Sequence, residues 1–260
     1  MRQLLKSVSL FALVLSFVVV GSLVRLLFFW NQKIRRRLAA RLLQMASKIA
    51  LIILNMKLRI EIADGLSRKT VENSGFIVSN HLSFLDVVAI SSELACVFVT
   101  SEETREDLLL GLICASAGCY FAERRDAHRL KKELRELCDL MKSGIRIGVF
   151  PEATTSDGRG VLPFKRGFFK TPELANVSIS SMVVNYEKLD GTSLDRSRAD
   201  RLFYYGDIKF KDNILSILRS KSIEVSLSFV GISTPAVEAG RPAIHESVYE
   251  LVAAHYKPIL

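Results

Sequence analysis

Beyond the apolar stretch GFIVSN, the 260-residue chain runs Asn80, His81, Leu82, Ser83, Phe84, Leu85, Asp86. A histidine at a strand end, followed five residues later by an aspartate, can have the carboxylate on the first turns of the next helix, folded back toward the imidazole. Asp86 would then hold one ring N–H and fix the tautomer, leaving the other nitrogen to take a proton from a hydroxyl. Asn80 and Ser83 would add supporting hydrogen bonds or a helix cap. Spacing alone is weak, since four histidines meet this pattern by chance in roughly one chain in six, and a histidine that only bonds a helix start fits equally well. No metal site is expected: His128, His245 and His255 lack paired-ligand spacing, and the cysteines are scattered.

Two further clusters carry polar groups of the right kind. In GCYFAERR, Gly118 and Phe121 precede Arg124 and Arg125. An arginine just past a strand offers a planar fork to phosphate or carboxylate, though a solvated helix-start arginine reads the same way. In FPEATTSDG, Phe150, Pro151, Glu152, Ala153, Thr154, Thr155 and Ser156 follow the strand-like IRIGVF. Pro151 restricts the exit from the strand, and Glu152 is a fixed acceptor for substrate hydroxyls. Downstream, PFKRGFF adds Lys165 and Arg166, two cations able to meet a phosphate.

The elements that must position these clusters are short apolar runs alternating with helical stretches: LRIEIA, GFIVSN, CVFVTS, CYFAE, IRIGVF, VSISSMVVNY and IEVSLSFVG. Such alternation predicts an α/β domain with a largely parallel sheet flanked by helices, in which ligands gather at the carboxyl ends of the strands. AHRLKKELRELCDLMKSG reads as a structural helix with Asp126 as N-cap and Gly144 as terminator. Lys188 to Arg201 reads as a surface loop.

Residues 1 to 60 hold eleven Lys or Arg and no acid, so of the chain's +9 net charge the remaining 200 residues carry −2. A nucleic-acid partner would need cations on the folded body, so that class is excluded. Ser7 to Val24 is uncharged and long enough to cross or lie deep in a bilayer. The segment lacks a small-x-small cleavage site, and KIRRR after it directs the body to the cytoplasmic face. Ile34, Leu38, Leu42, Met45, Ile49, Ile52 and Met56 recur at helical spacing among Arg35, Arg36, Arg37, Arg41 and Lys48, which predicts a basic amphipathic helix lying on membrane lipids. Residues 1–58 are therefore expected to form membrane-associated helices, preceding an α/β domain over 59–260. Cys96, Cys114, Cys119 and Cys138 form no C-x-x-C pair and suit a reduced compartment.

In order and spacing the three clusters resemble the glycerophospholipid acyltransferases of the lysophosphatidic acid acyltransferase type. N-H-x-S-x-x-D is met by Asn80, His81, Ser83 and Asp86, and G-x-x-F-x-x-R by Gly118, Phe121 and Arg124. F-P-E-G-T-R-S is met by Phe150, Pro151, Glu152, Thr154 and Ser156, with Ala153 and Thr155 departing. The family's proline-bearing strand is only echoed, without its proline, in SSMVVNY. The resemblance implies His81 as general base, Asp86 as its orienting partner, and Arg124 and Glu152 on the head of a lysophospholipid acceptor. It implies no cofactor; the acyl donor would be a coenzyme A or acyl carrier protein thioester. Thr155 removes a charged fork that Lys165 or Arg166 would replace, unless the acceptor is another lysolipid such as lyso-ornithine lipid. A non-catalytic basic membrane protein would explain residues 1 to 60 but not the three clusters, and a hydrolase would differ only in how well water is excluded.

Overall fold

The structure is a computed structural model that describes residues 1–123, 127–235 and 243–259; Arg124, Arg125 and the expected cap Asp126 lie outside the described residues. Two long helices, α1 (Arg2–Leu27) and α2 (Gln32–Leu54), lead into β1 (Met56–Ile62), α3 (Arg68–Glu72), β2 (Phe76–Ser79), α4 (Phe84–Glu93) and β3 (Val97–Ser101). The chain continues through α5 (Glu103–Glu106), α6 (Leu108–Ser116), β4 (Tyr120–Ala122), α7 (Ala127–Lys142), β5 (Ile147–Val149) and α8 (Lys170–Ala175). It closes with β6 (Ile179–Leu189), β7 (Thr192–Ser193), α9 (Arg196–Leu202), α10 (Phe210–Arg219), β8 (Ile223–Ser233) and α11 (Ile244–His255).

All seven expected strands form one sheet in the order β1-β8-β6-β2-β5-β3-β4, with β7 added to β6 as a short hairpin. Strands β6, β2, β5, β3 and β4 run parallel, whereas β8 is antiparallel to β6 and parallel to β1. Every residue of β2 and β5 is buried, as strands covered on both faces must be, so alternation is absent there and the runs are continuously apolar. Chain order reverses around β2: its neighbours β5 and β6 carry the chain to opposite sides. The carboxyl ends of β2 and β5 are therefore adjacent, which is where a doubly wound sheet opens a crevice.

One expectation changes, and α2 shows a detail that was not anticipated. The segment from Lys188 to Arg201 is not a plain loop: β6 extends to Leu189, Asp190 and Gly191 turn with positive φ, and Asp195 caps α9 by accepting from Arg198 N at 2.9 Å. In α2 the stripe divides: Leu42 packs against the core and Met56, just past the helix end, is buried. Ala39, Ala40, Leu43, Ser47, Ala50 and Leu54 pack inward, because small residues let α2 approach α1 and α4 closely, while Ile34, Met45, Ile49 and Ile52 are left exposed.

The N-terminal helices are also more than an appendage, for they share the domain's core through Phe17, Ala40, Leu43 and Leu54. Near the start of α1, Lys6 Nζ donates to the Leu54 and Ser220 carbonyls, both at 2.9 Å. Near its end, Gly21 crosses α6 so closely that a Cβ would lie 2.7 Å from that of Ser116. α1, long and apolar enough to cross a membrane, is thus laid along the domain at both ends and turns Leu4, Val8, Phe11, Leu15, Val19 and Leu23 outward.

Candidate active site

The turn from β2 into α4 is built around Asp86. Ser83 is the N-cap and Asp86 the third helical residue, forming a capping box in which the carboxylate accepts backbone N–H groups that a helix start leaves unpaired. Asp86 Oδ2 receives Leu82 N at 2.6 Å and Ser83 N at 2.9 Å, and lies 2.9 Å from His81 Nδ1. With three donors converging on one oxygen, the ring proton sits on Nδ1, and Nε2 has no protein partner among the described residues. The imidazole is 20% exposed and Asp86 fully buried, so the pair presents one basic nitrogen to the cleft.

Strand β5 supplies the neighbouring wall. Phe150 stacks on His81 with ring centroids 3.9 Å apart and planes inclined by 10°, and Phe98 of β3 stacks in turn on Phe150. Glu152 is tied into the backbone on both sides: Oε1 accepts His81 N at 2.5 Å and Oε2 accepts Leu162 N at 2.7 Å. Burial pushes this carboxyl up to about 8, against the two N–H donors, which favour its charged form. Ser156 N donates to the His81 carbonyl and Lys165 N to that of Pro151, so the 150–165 segment is pinned to the turn carrying the histidine.

The remaining expected residues divide between support and surface. Asn80 is buried and pairs with β6, its amide donating to Val184 O at 3.0 Å and its Oδ1 accepting Val184 N at 2.8 Å, so it braces the turn instead of meeting a ligand. Ser83, buried as a cap, does likewise. Gly118 has φ +71, and a Cβ there would approach the Ala39 Cβ to 2.7 Å; it is the point where α2 touches the start of β4. Phe121 lies under the guanidinium of Arg105, 4.4 Å from the ring centroid. Thr154, Lys165 and Arg166 are exposed, Thr155 half-buried and Pro151 buried.

Residues without a sequence signal complete the site. Tyr186 of β6, four residues past the partner of Ser79, donates its hydroxyl to Asp86 Oδ1 at 2.7 Å. Burial and the Asp86 charge hold that phenol protonated, so it stays a donor. An apolar groove of about 230 Å³ runs between α1, α2, α4, α6 and α10, and Phe84 and Leu85, next to Asp86, form part of its wall. Among the described residues no cluster of His, Cys, Asp and Glu could hold a metal ion.

A family model described as Acyltransferase matches residues 59–185, the stretch holding all three clusters. The chain is 26% identical over 182 residues to the 1-acyl-sn-glycerol-3-phosphate acyltransferase of Neisseria gonorrhoeae, covering 70% of this chain and 69% of that one. It is also 26% identical over 185 residues to the lyso-ornithine lipid O-acyltransferase of Brucella abortus, covering 68% and 69%. The crystal structure of the 1-acyl-sn-glycerophosphate acyltransferase PlsC from Thermotoga maritima shares the fold, with a TM-score of 0.65 and 18% identity over 98% of this chain and 95% of that one. A sequence match centred on the segment that carries His81 and Asp86, together with a fold shared from end to end, supports the glycerophospholipid acyltransferase family for this chain.

Proposed function

We propose that the protein transfers a fatty acyl group from a coenzyme A or acyl carrier protein thioester to the free hydroxyl of 1-acylglycerol-3-phosphate, forming phosphatidic acid. The observation that carries this reading is an imidazole whose Nδ1 is fixed by Asp86 and whose Nε2 has no partner among the described residues. His81 Nε2 takes the hydroxyl proton as the acceptor oxygen attacks the thioester carbonyl. The C–S bond then breaks, and the thiolate leaves with the proton returned by His81. A thioester is already activated, so one base and an orienting site suffice. Asp86 orients the ring and stabilises its cationic form, Tyr186 and the two backbone N–H groups hold Asp86, and Glu152 holds the histidine backbone. The apolar groove beside α4 suits an acyl chain.

The same proposal seats the protein on the cytoplasmic leaflet. The outward row of α1 and the outward Ile34, Met45, Ile49 and Ile52 of α2 lie in the lipid, which suits a helix tied to the domain at both ends better than one crossing the bilayer. Thr155, where the family has an arginine, favours a second acceptor, lyso-ornithine lipid, named for the Brucella relative. Purified protein in detergent, given labelled acyl thioester and a panel of lysolipids, should acylate 1-acylglycerol-3-phosphate first. His81→Ala should lose about a hundred- to ten-thousandfold in rate. Release of free fatty acid as the main product, or activity in His81→Ala within a few-fold of the parent, would sink the reading.

A further inference from the structure

A second cleft, of about 480 Å³, lies on the β4 side of the molecule, between the end of α1, the start of α2 and the α5–α6 corner. Arg25, Arg35, Arg36 and Arg105 line it together with Glu106 and Asp107. The acids do not balance the cations. Arg105 is paired with Glu102 at 2.7 Å, which leaves three arginines against Glu106 and Asp107, the latter also capping α6 through Leu109 N and Leu110 N. Arg25, Arg35 and Arg36 have no ion pair among the described residues. Arg36 is 9% exposed, spends NH1 on the carbonyls of Gly118 and Cys119 at 2.7 and 3.1 Å, and has a buried Nε without a partner. Arg35 also stands in the first turn of a 23-residue helix that has no acid there, with Arg36 next after it, so the helix dipole adds to the positive field.

We infer that this cleft binds the phosphate head of an anionic bilayer phospholipid, a lipid distinct from the acceptor. The rim points to lipid over a soluble anion: Leu108, 90% exposed, and Leu112 form its lip, and the exposed Leu26, Leu27, Phe29 and Trp30 continue from Arg25. Distance separates it from the acceptor. Phe121 is three strand spacings from β2, about 14 Å across the sheet, whereas only four bonds join the reacting hydroxyl of a glycerol phosphate to its phosphorus. The inference rests on the bilayer seat proposed above, not on the acyl-transfer chemistry.

Trp30, the chain's single tryptophan and 70% exposed, reports on the lipid beside the cleft. In the full-length protein, bound to phosphatidylcholine vesicles carrying brominated phosphatidylglycerol or brominated phosphatidylcholine at equal mole fraction, quenching of Trp30 should show the acidic lipid enriched about fivefold or more, the effect of one arginine at a membrane surface. Arg35→Gln with Arg36→Gln should reduce this to parity. Arg25→Glu with Arg35→Glu, at two side chains that make no hydrogen bond among the described residues, should do the same if the buried Arg36 proves needed for folding. Equal quenching by both lipids, or enrichment that survives both double variants, overturns the proposal. So does loss of the preference on adding inorganic phosphate at constant ionic strength, which marks a soluble-anion site, or on adding trace 1-acylglycerol-3-phosphate, which marks an acceptor site. Absence of quenching by either lipid sinks the bilayer seat and the proposal with it, whatever the protein's acyltransferase activity.

Discussion

Asp86→Asn tests how the base is held. An asparagine can sit in the site two ways. With its amide nitrogen at the Oδ2 position, three donors would face a fourth: Leu82 N, Ser83 N and the His81 Nδ1–H. Each donor stranded in this buried turn costs about 1–3 kcal/mol. With its carbonyl at Oδ2 and its nitrogen toward Tyr186, the phenol rotates to accept and every hydrogen bond survives. The second seating wins by several kcal/mol on that arithmetic, so the cap, the fold and the ring tautomer are all retained. What is lost is charge. A hydrogen bond to a charged group contributes about 1.5–3 kcal/mol against about 0.5–1.5 for a neutral one. The imidazolium that forms in the transition state should therefore lose about 1–2 kcal/mol, roughly five- to thirtyfold in rate. Where the tautomer inverts in a serine protease triad, the loss is about ten-thousandfold. The assay is kcat/KM for acyl transfer beside thermal unfolding in the same detergent. Asp86→Asn activity as low as that of His81→Ala, with the protein still folded, would refute the claim that backbone donors fix the amide.

Glu152→Gln should lower stability by about 1–3 kcal/mol near pH 5 by setting an amide N–H against a backbone N–H. Because burial raises this carboxyl from 4.5 to about 8, the stability it gives the parent is full below pH 4.5 and falls as pH rises through about 8, so denaturation across that window should show the gap narrowing; a higher acceptor KM with unchanged stability would instead make Glu152 a substrate contact. Gly118→Ala combines about 1–2 kcal/mol for the left-handed backbone with a collision against Ala39, and an unaltered unfolding temperature would refute the close approach of α2. Removing residues 1–30 should lower the unfolding temperature as well as membrane affinity, since it strips Lys6, Phe17 and Gly21 from the domain and opens the apolar groove; a stable soluble remainder would show α1 to be a mere tether.

Local pattern reveals what depends on local pattern. The seven strands and the fold of Asp86 back onto His81 were legible because a buried strand needs a continuous apolar run, and a capping box is set within four residues. Tyr186 was not, for its hydroxyl reaches Asp86 across 100 residues through the pairing of β2 with β6. Glu152 was found by its residue type, but only the adjacency of β2 and β5 reveals that each of its oxygens also accepts a backbone N–H. The inward face of α2 was not legible for a different reason. Hydrophobic periodicity marks the larger apolar side chains, and here Ile34, Met45, Ile49 and Ile52 face away from the domain while alanines make the close helix contact.

That inversion bears on why the second motif lies where it does. Gly118 presents no side chain and so admits α2, and the carbonyls of Gly118 and Cys119 receive Arg36 from that helix. Two residues beyond Cys119, Phe121 carries Arg105 at the edge of the arginine cleft. The glycine end of G-x-x-F-x-x-R is thus a joint between the N-terminal helices and the sheet. The same sheet, through β3 and β5, carries the Phe98–Phe150–His81 stack. Strand β4, which follows Gly118, pairs with β3, so the Phe98 end of that stack and the α2 contact share one stretch of sheet.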